Sequence, residues 1–562
     1  MRNWSKRSHW MILLAVLPAF SQALLTPGEM NQYSRYTQHR DILQFLSELA
    51  EKSDRVRIEE VGKTHALEDY PSQSLLLCIV SEEGASQPQQ LDRSKPTILI
   101  VASQHGSEQS AKEAALVLLR DIAVGDLRQL LARANLLIIP QANPWGNHQD
   151  RRVNELGLDM NRDHVKLETE GAQAIHHVFR TWMPEVTLDV HERGDNFYRI
   201  AMGCVSNANV DAAIQSFSRG TILAEVEKTL ARDKITFHEY MVASEKMPND
   251  ASGANFSDQN LAGWPLIMRY STSDLNDGRN SLGIYQTYAF IQEGASRHDL
   301  QTLGHRTWYQ SRAIRAFLHS IADHGAEILA HVRTLRQGVQ EQSASFSPSQ
   351  VTHLKMEYRR DPSQPQVRLQ EFPKKDIAIA GVLKVDKKAG EAVLASELEP
   401  QSPSDKERVV TRIIDDWFPL VVPTRSVVRP LGYVIPAKHA EVIATLRLHD
   451  VRILMFRQDC KMRVEGYLTE KVTPSRLDYL PPDTLITKAQ PLEILCKKGD
   501  FYIPCQQAAA ILLPCLLEPE SDYGFIRYRK YGLVPGVGDY YALFRNVLVQ
   551  DLPLTSWCDW PR

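Results

Sequence analysis

Three short segments, Ser74–Val80 (SLLLCIV), Thr97–Ala102 (TILIVA) and Leu136–Pro140 (LLIIP), are apolar at almost every position. A strand with one wet face alternates apolar and polar residues. An unbroken apolar run of this length instead fits a strand covered on both faces, as in a parallel sheet with helices on either side. Ala111, Ala115, Leu118, Leu119 and Ile122 recur at helical spacing between the second and third runs. Val186–Val190 and Ala289–Ile291 read as further strands, and 167–182, 209–232 and 305–335 as helices. The expected fold over 24–336 is α/β, a mixed, mostly parallel sheet flanked by helices. Gln337–Pro348 is polar and places a linker at 337–350. Beyond it, Asp376–Val385, Phe418–Val422 and Arg452–Phe456, with turn signals such as Lys497-Lys498-Gly499-Asp500, predict a C-terminal, mostly β accessory domain over 351–562. A chain of 562 residues exceeds what one core usually organises, so more than one domain is expected.

The amino terminus reads as a targeting signal. Arg2, Lys6 and Arg7 precede a short apolar stretch from Trp10 to Phe20, and Ser21-Gln22-Ala23 offers small residues for cleavage after Ala23. That stretch is shorter than the roughly 20 residues a membrane span needs, so the expectation is a signal peptide over 1–23 and an exported protein, periplasmic or secreted, with no span in the mature chain. With 65 basic against 68 acidic residues, nothing electrostatic favours nucleic acid as a partner. Seven cysteines are too sparse for a disulfide scaffold, and their pairing cannot be read from the sequence.

Chemistry concentrates at the ends of the apolar runs. His105-Gly106-Ser107-Glu108 follows the Thr97–Ala102 strand directly, and His191 follows Val186–Val190. Parallel strands bring their carboxyl ends together, where open α/β sheets form their sites. Two histidines and a glutamate can complete three positions of a tetrahedral zinc site and leave the fourth open. Alone, HxxE is a weak signal, since an acid at a helix amino terminus is also favoured by the helix dipole.

The segment Asn143-Pro144-Trp145-Gly146, followed by Arg152-x-Asn154-x-x-Gly157-x-Asp159-x-Asn161-Arg162-Asp163, strengthens it. With HxxE before it, His191 after it and Glu293 at the end of the last strand, the order resembles the zinc metallocarboxypeptidase family related to carboxypeptidase A. The resemblance extends to larger exported bacterial members. It implies one Zn2+ per chain on His105, Glu108 and His191, with Asp159 orienting His105. It implies Glu293 as general base and Arg152 as the oxyanion donor; Arg151 is the neighbouring alternative, but Arg152 stands ten residues before Arg162. Asn161 and Arg162 would grip the substrate's terminal carboxylate, which suits the planar fork of a guanidinium. Tyr270 has about the separation from Glu293 expected of a substrate-capping tyrosine, although Tyr285 and Tyr288 lie nearer, and Arg279, in a GRN stretch, offers a second anionic contact, with an exposed turn arginine as the alternative. The implied activity is removal of a C-terminal residue from peptides, cell-wall peptides included. The alternatives are a zinc deacylase or amidase of N-acyl amino acids that also carry a free carboxylate, and a non-catalytic zinc-binding module.

Overall fold

The computed structural model describes residues 24–194, 198–245, 266–295, 299–371, 383–386, 391–394, 410–473 and 484–557. The signal-peptide segment and most of the expected Asp376–Val385 strand lie outside them.

Eight strands form the main sheet: β1 (Val56–Lys63), β2 (Ser74–Val80), β3 (Thr97–Ala102), β4 (Asn135–Ile139), β5 (Val186–Arg193), β6 (Ile200–Cys204), β7 (Phe237–Glu239) and β8 (Tyr288–Ala295). Their order is β1-β2-β4-β3-β5-β8-β6-β7. The centre, β4-β3-β5-β8, is parallel. The β1–β2, β2–β4 and β8–β6 pairings are antiparallel, so the sheet is mixed. The apolar runs occupy the interior positions that their composition predicts, since a strand covered on both faces has no solvent side to mark with polar residues.

Alternate residues of one strand enter different cores, as the two-residue side-chain period requires. Ile98 and Ile100 of β3 pack on one face with helices α1 (His39–Lys52), α2 (Gln109–Ala123) and, later in the chain, Leu303–Asp323. Leu99 and Val101 face the other side with α3 (Glu170–Trp182), which contributes Ile175, Val178 and Phe179. That second core also takes in Val442, Ile443 and Leu446 of a helix at Ala440–Leu448, together with Tyr433, Ile435 and Ile503 of a seven-stranded C-terminal sheet. The β-rich region therefore supplies part of the layer that covers the main sheet. The polar stretch from Gln337 begins as helix, because the Gly325–Gln342 helix runs to its end before the strand Val351–Arg359 starts. Among the described residues no helix is long and apolar enough to cross a membrane.

Six described cysteines are free thiols, five of them buried. Cys460 and Cys496 stand opposite each other in the antiparallel ladder.

The shared core has a measurable consequence. Leu446→Ala should cost about 2–5 kcal/mol, as buried leucine truncations do, and should lower the urea midpoint of the whole chain in one transition. A separate early transition, with the midpoint of the main sheet unmoved, would show that the two regions have independent cores.

Candidate metal centre and active site

At the carboxyl end of β3 the chain turns sharply. Ser103 adopts φ 60°, a left-handed conformation uncommon for a residue with a side chain. This throws Gln104 and His105 off the sheet axis before α2 begins. Glu108 occupies the N-cap position of α2, but its carboxylate makes no capping bond to that helix. It reaches outward instead and accepts the backbone N–H of Glu192 at 3.0 Å.

The turn is fastened by the Asn143-Pro144-Trp145-Gly146 loop. Gly106 packs so closely that a Cβ there would lie 2.0 Å from the Gly146 carbonyl carbon, so only glycine fits. Asn147 donates from its amide to Gly106 O at 2.7 Å, and Asn143 donates to Gln104 O at 3.1 Å while accepting Gly146 N–H at 2.9 Å. The asparagines act as struts that set the path of the HxxE turn.

His105, Glu108 and His191 converge. All three are buried, and one ligand atom from each lies within 4.8 Å of the others. His105 Nδ1 is 2.7 Å from Glu108 Oε1, His191 Nδ1 is 2.7 Å from Glu108 Oε2, and the two Nδ1 atoms are 3.1 Å apart. The outer nitrogens meet carboxylates. His105 Nε2 is 3.0 Å from Asp159 Oδ1, and His191 Nε2 is 2.8 Å from Asp189 Oδ2.

The electrostatics favour a cation at the centre. Burial by itself would raise the Glu108 carboxyl, but the flanking His105 and His191 rings outweigh it and hold the group well below the usual range. Asp159 is likewise pulled down against its burial, by His105, Arg152 and Arg162. Burial would lower His191, yet Asp189 and Glu108 raise it well above an ordinary histidine. Three acids around two imidazoles make a pocket that demands positive charge, and nitrogen and oxygen donors of this kind suit zinc. The residues fit the ion.

Glu293 pairs in register with His191 across the β5–β8 ladder. Paired residues of adjacent parallel strands share a face, about 4.8 Å apart, so the Glu293 side chain rises beside the trio. Burial pushes its carboxyl up to about 7, against the lowering effect of His191. Arg152 is half-exposed; its Nε donates to Asp159 Oδ2 at 2.9 Å and its Nη1 is 3.7 Å from Glu108 Oε1. Arg162 is half-buried, with Nη1 donating to Asn161 O at 2.7 Å. Asn161 is engaged internally, accepting Gly278 N–H at 2.7 Å through Oδ1, with Nδ2 3.1 Å from His191 Nε2. Glu192 points away from the trio, taking Ser110 Oγ and Arg306 Nη1 at 2.5 Å each.

Residues 42–183 match the family described as zinc carboxypeptidase. The segment that carries His105, Glu108 and the Asn143-Pro144-Trp145-Gly146 loop is thus similar to a zinc carboxypeptidase domain. Carboxypeptidase 2 of Trichophyton rubrum is 22% identical over 548 residues, spanning 94% of this chain and 90% of that relative. Carboxypeptidase 2 of Trichophyton tonsurans is 22% identical over 459 residues, 78% of this chain and 74% of its own. Among solved structures, a metallo-carboxypeptidase from Burkholderia cenocepacia has 18% identity and a TM-score of 0.38, with 54% of this chain and 71% of that one covered. Carboxypeptidase A from Helicoverpa armigera has 13% identity and a TM-score of 0.38, over 54% and 80% respectively.

Two expected substrate contacts sit away from the His-Glu-His set. Tyr270 is 2% exposed, its hydroxyl 3.2 Å from Cys204 Sγ and its ring under the Arg219 guanidinium at 3.7 Å. Cys204 pairs with Phe290, three positions before Glu293 on β8, which is roughly 10 Å down the strand. Separation along the chain placed Tyr270 near the base; strand pairing carries it below the cleft. Arg279 is 1% exposed and spends its donors on Ser271 Oγ, Thr272 O at 2.9 Å, Thr272 Oγ1 at 2.8 Å and Asp277 Oδ2 at 3.2 Å. It shapes the 271–280 loop rather than presenting a free charge. Tyr240 went unnoticed in the sequence. It packs on Gly203, whose added Cβ would lie 2.9 Å from Tyr240 Cβ, and its hydroxyl feels Glu293, Arg279, Arg162 and Arg193. Asp189 also escaped notice, although an Asp two residues before a strand histidine must share its face.

The metal assignment is tested by replacing a donor. Wild-type protein should hold zinc through gel filtration, and His105→Ala should lose it by elemental analysis; full retention would remove His105 from the ligand set.

Proposed function

We propose that the chain removes a C-terminal residue from peptides, with one zinc on His105, Glu108 and His191. The observation that carries this is the joint placement of Glu293 on the face of His191 and of Arg152 beside Glu108, at the rim of a buried His-Glu-His set. Zinc bound there supplies Lewis acidity, making a nearby water more acidic and polarising a carbonyl.

The chain's own residues do the rest. Glu293 takes a proton from the attacking water and returns it to the departing amine, a role that needs a carboxylate poised near neutral pH. Burial supplies that poise. Arg152, half-exposed yet held by Asp159, meets the oxyanion as it forms; removing one such donor typically costs about 10²–10³ in rate. Arg162 clamps the terminal carboxylate of the substrate, which makes the cut exopeptidic. Tyr240, whose hydroxyl feels Glu293 and Arg162, takes the role first assigned to Tyr270. We place a signal peptide at 1–23, the catalytic domain at 24–336 and the accessory region at 351–562, with export to the periplasm or medium as part of the same proposal. A peptide with a free carboxylate is favoured over an N-acyl amino acid because the long 192–292 segment adds β6 and β7 to the sheet beside β8, the strand that carries Glu293.

Three outcomes are expected. Glu293→Gln should retain zinc and fold while kcat falls by about 10²–10⁴; near-normal turnover would remove Glu293 as base. Amidating the C-terminus of a peptide substrate should suppress cleavage, and undiminished cleavage would point to an endopeptidase or another amidase. A base works deprotonated, so activity should rise with pH through the pKa of Glu293. Burial sets that limb above the ordinary glutamate value of 4.5. A kcat/KM profile whose acid limb lies at or below it would assign the titration to another group.

A further inference from the structure

Behind His191 lies a buried row of polar side chains that the chemistry above does not use. Asp189 Oδ2, which faces His191 Nε2, also accepts Gln104 Nε2–H at 2.8 Å. Gln104 Oε1 is 2.8 Å from His164 Nε2, and His164 Nδ1 is 3.1 Å from His176 Nε2. All of these side chains are buried. At the outer end, His449 of the Ala440–Leu448 helix's C-cap stands edge-on to His176, with ring centroids 5.1 Å apart, and its Nε2 donates to Val165 O at 2.9 Å.

The proton directions along this row are dictated from one end. Asp189 is acceptor-only when ionised, so Gln104 must turn its NH₂ toward it and its oxygen toward His164. His164 must then carry its hydrogen on Nε2 and accept at Nδ1, which leaves His176 to donate from Nε2. Burial keeps both rings neutral, lowering His164 to about 4 and His176 well below the ordinary value. A neutral imidazole has one donor and one acceptor, so each ring has a single consistent tautomer.

This matters because His191 has two competing partners at Nε2. Asp189 at 2.8 Å requires a hydrogen there and so frees Nδ1 as a lone pair aimed at the trio. The Asn161 amide nitrogen at 3.1 Å would favour the opposite tautomer, with the hydrogen on Nδ1 and no ligand. Asn161 cannot flip, since its oxygen is held by Gly278 N–H. The outcome depends on Asp189 staying aimed, and Gln104 is the side chain that aims it. Gly278 seals the row from the other side: a Cβ there would lie 2.8 Å from Gln104 Nε2, 3.0 Å from Asp189 Oδ2 and 3.2 Å from His164 Nε2.

We propose that the row Asp189–Gln104–His164–His176, walled by Gly278 and by His449 of the β-rich region, is a positioning device that holds His191 in its metal-binding tautomer. The proposal rests on His191 being a ligand. It gives the β-rich region a part in the site, as the wall that keeps water from the outer end of the row. Outer partners of this kind typically change metal affinity by about 10–100-fold.

The test uses the full-length chain with zinc or with cobalt as a visible-spectrum probe. Gln104→Leu and His164→Phe keep the volume and remove the hydrogen bonds. Both should speed zinc release to a chromogenic chelator by about 10–100-fold and shift the cobalt d–d bands, with a cooperative apo thermal transition retained. His164→Gln, which restores a donor near the Nε2 position, should recover most of the slow release. Gly278→Ala, pressing on the row from outside, should shift the same bands without removing any member. Release rates and cobalt spectra like wild type in Gln104→Leu and Gly278→Ala would overturn the proposal. Wild-type protein that binds neither metal would instead overturn the ligand assignment, and His191→Ala serves as the reference for that failure.

Discussion

One carboxylate organises this molecule's site. Glu108 lies between two imidazoles, 2.7 Å from each, and is denied its ordinary work of capping α2. Burying a charge without compensation is expensive, so nearly everything around it answers to that charge. The Glu192 backbone donates to it, Arg152 approaches it, and Asp159 and Asp189 take up the far sides of its two imidazole partners. The result is a buried acid-rich nest that favours positive charge at its centre, which a divalent cation would supply.

That demand propagates into the scaffold. The HxxE turn needs Ser103 in a left-handed conformation and Gly106 against Gly146, both local departures from easy geometry. They persist because Asn143 and Asn147 bridge the two loops with side-chain bonds to backbone, which over-determine the path of the chain. On the other side, Asp189, Gln104 and the paired histidines extend the same logic inward as a chain of hydrogen bonds. The β-rich region closes this row and shares the apolar core beneath it. It is thereby tied to the site by packing as well as by chain connection.

Much of the arrangement was legible in the sequence because its signals are local. Unbroken apolar runs marked the central strands, and their carboxyl ends pointed to His105, Glu108 and His191 without any knowledge of pairing; Glu293 came from the family resemblance. The residues that sequence reading misplaced were those whose meaning depends on another strand. Tyr270 has a suitable separation from Glu293, but antiparallel pairing of Cys204 with Phe290 carries it down into the core. Arg279 looked like a free cation until its partners Ser271, Thr272 and Asp277 were brought round it by the loop. Tyr240 gave no local sign at all.

By itself, then, the sequence determined the class of sheet and the positions of the candidate metal donors along the chain, since burial on both faces and strand-end placement follow from patterns within a few residues. Tertiary structure alone decided which nitrogen of each histidine faces the centre of the His-Glu-His set. That choice is made by outer partners far apart in sequence, Asp159 for His105 and the Asp189–Gln104–His164 row for His191. A hydrogen bond's direction depends on what stands opposite, and only the folded chain sets two distant side chains face to face.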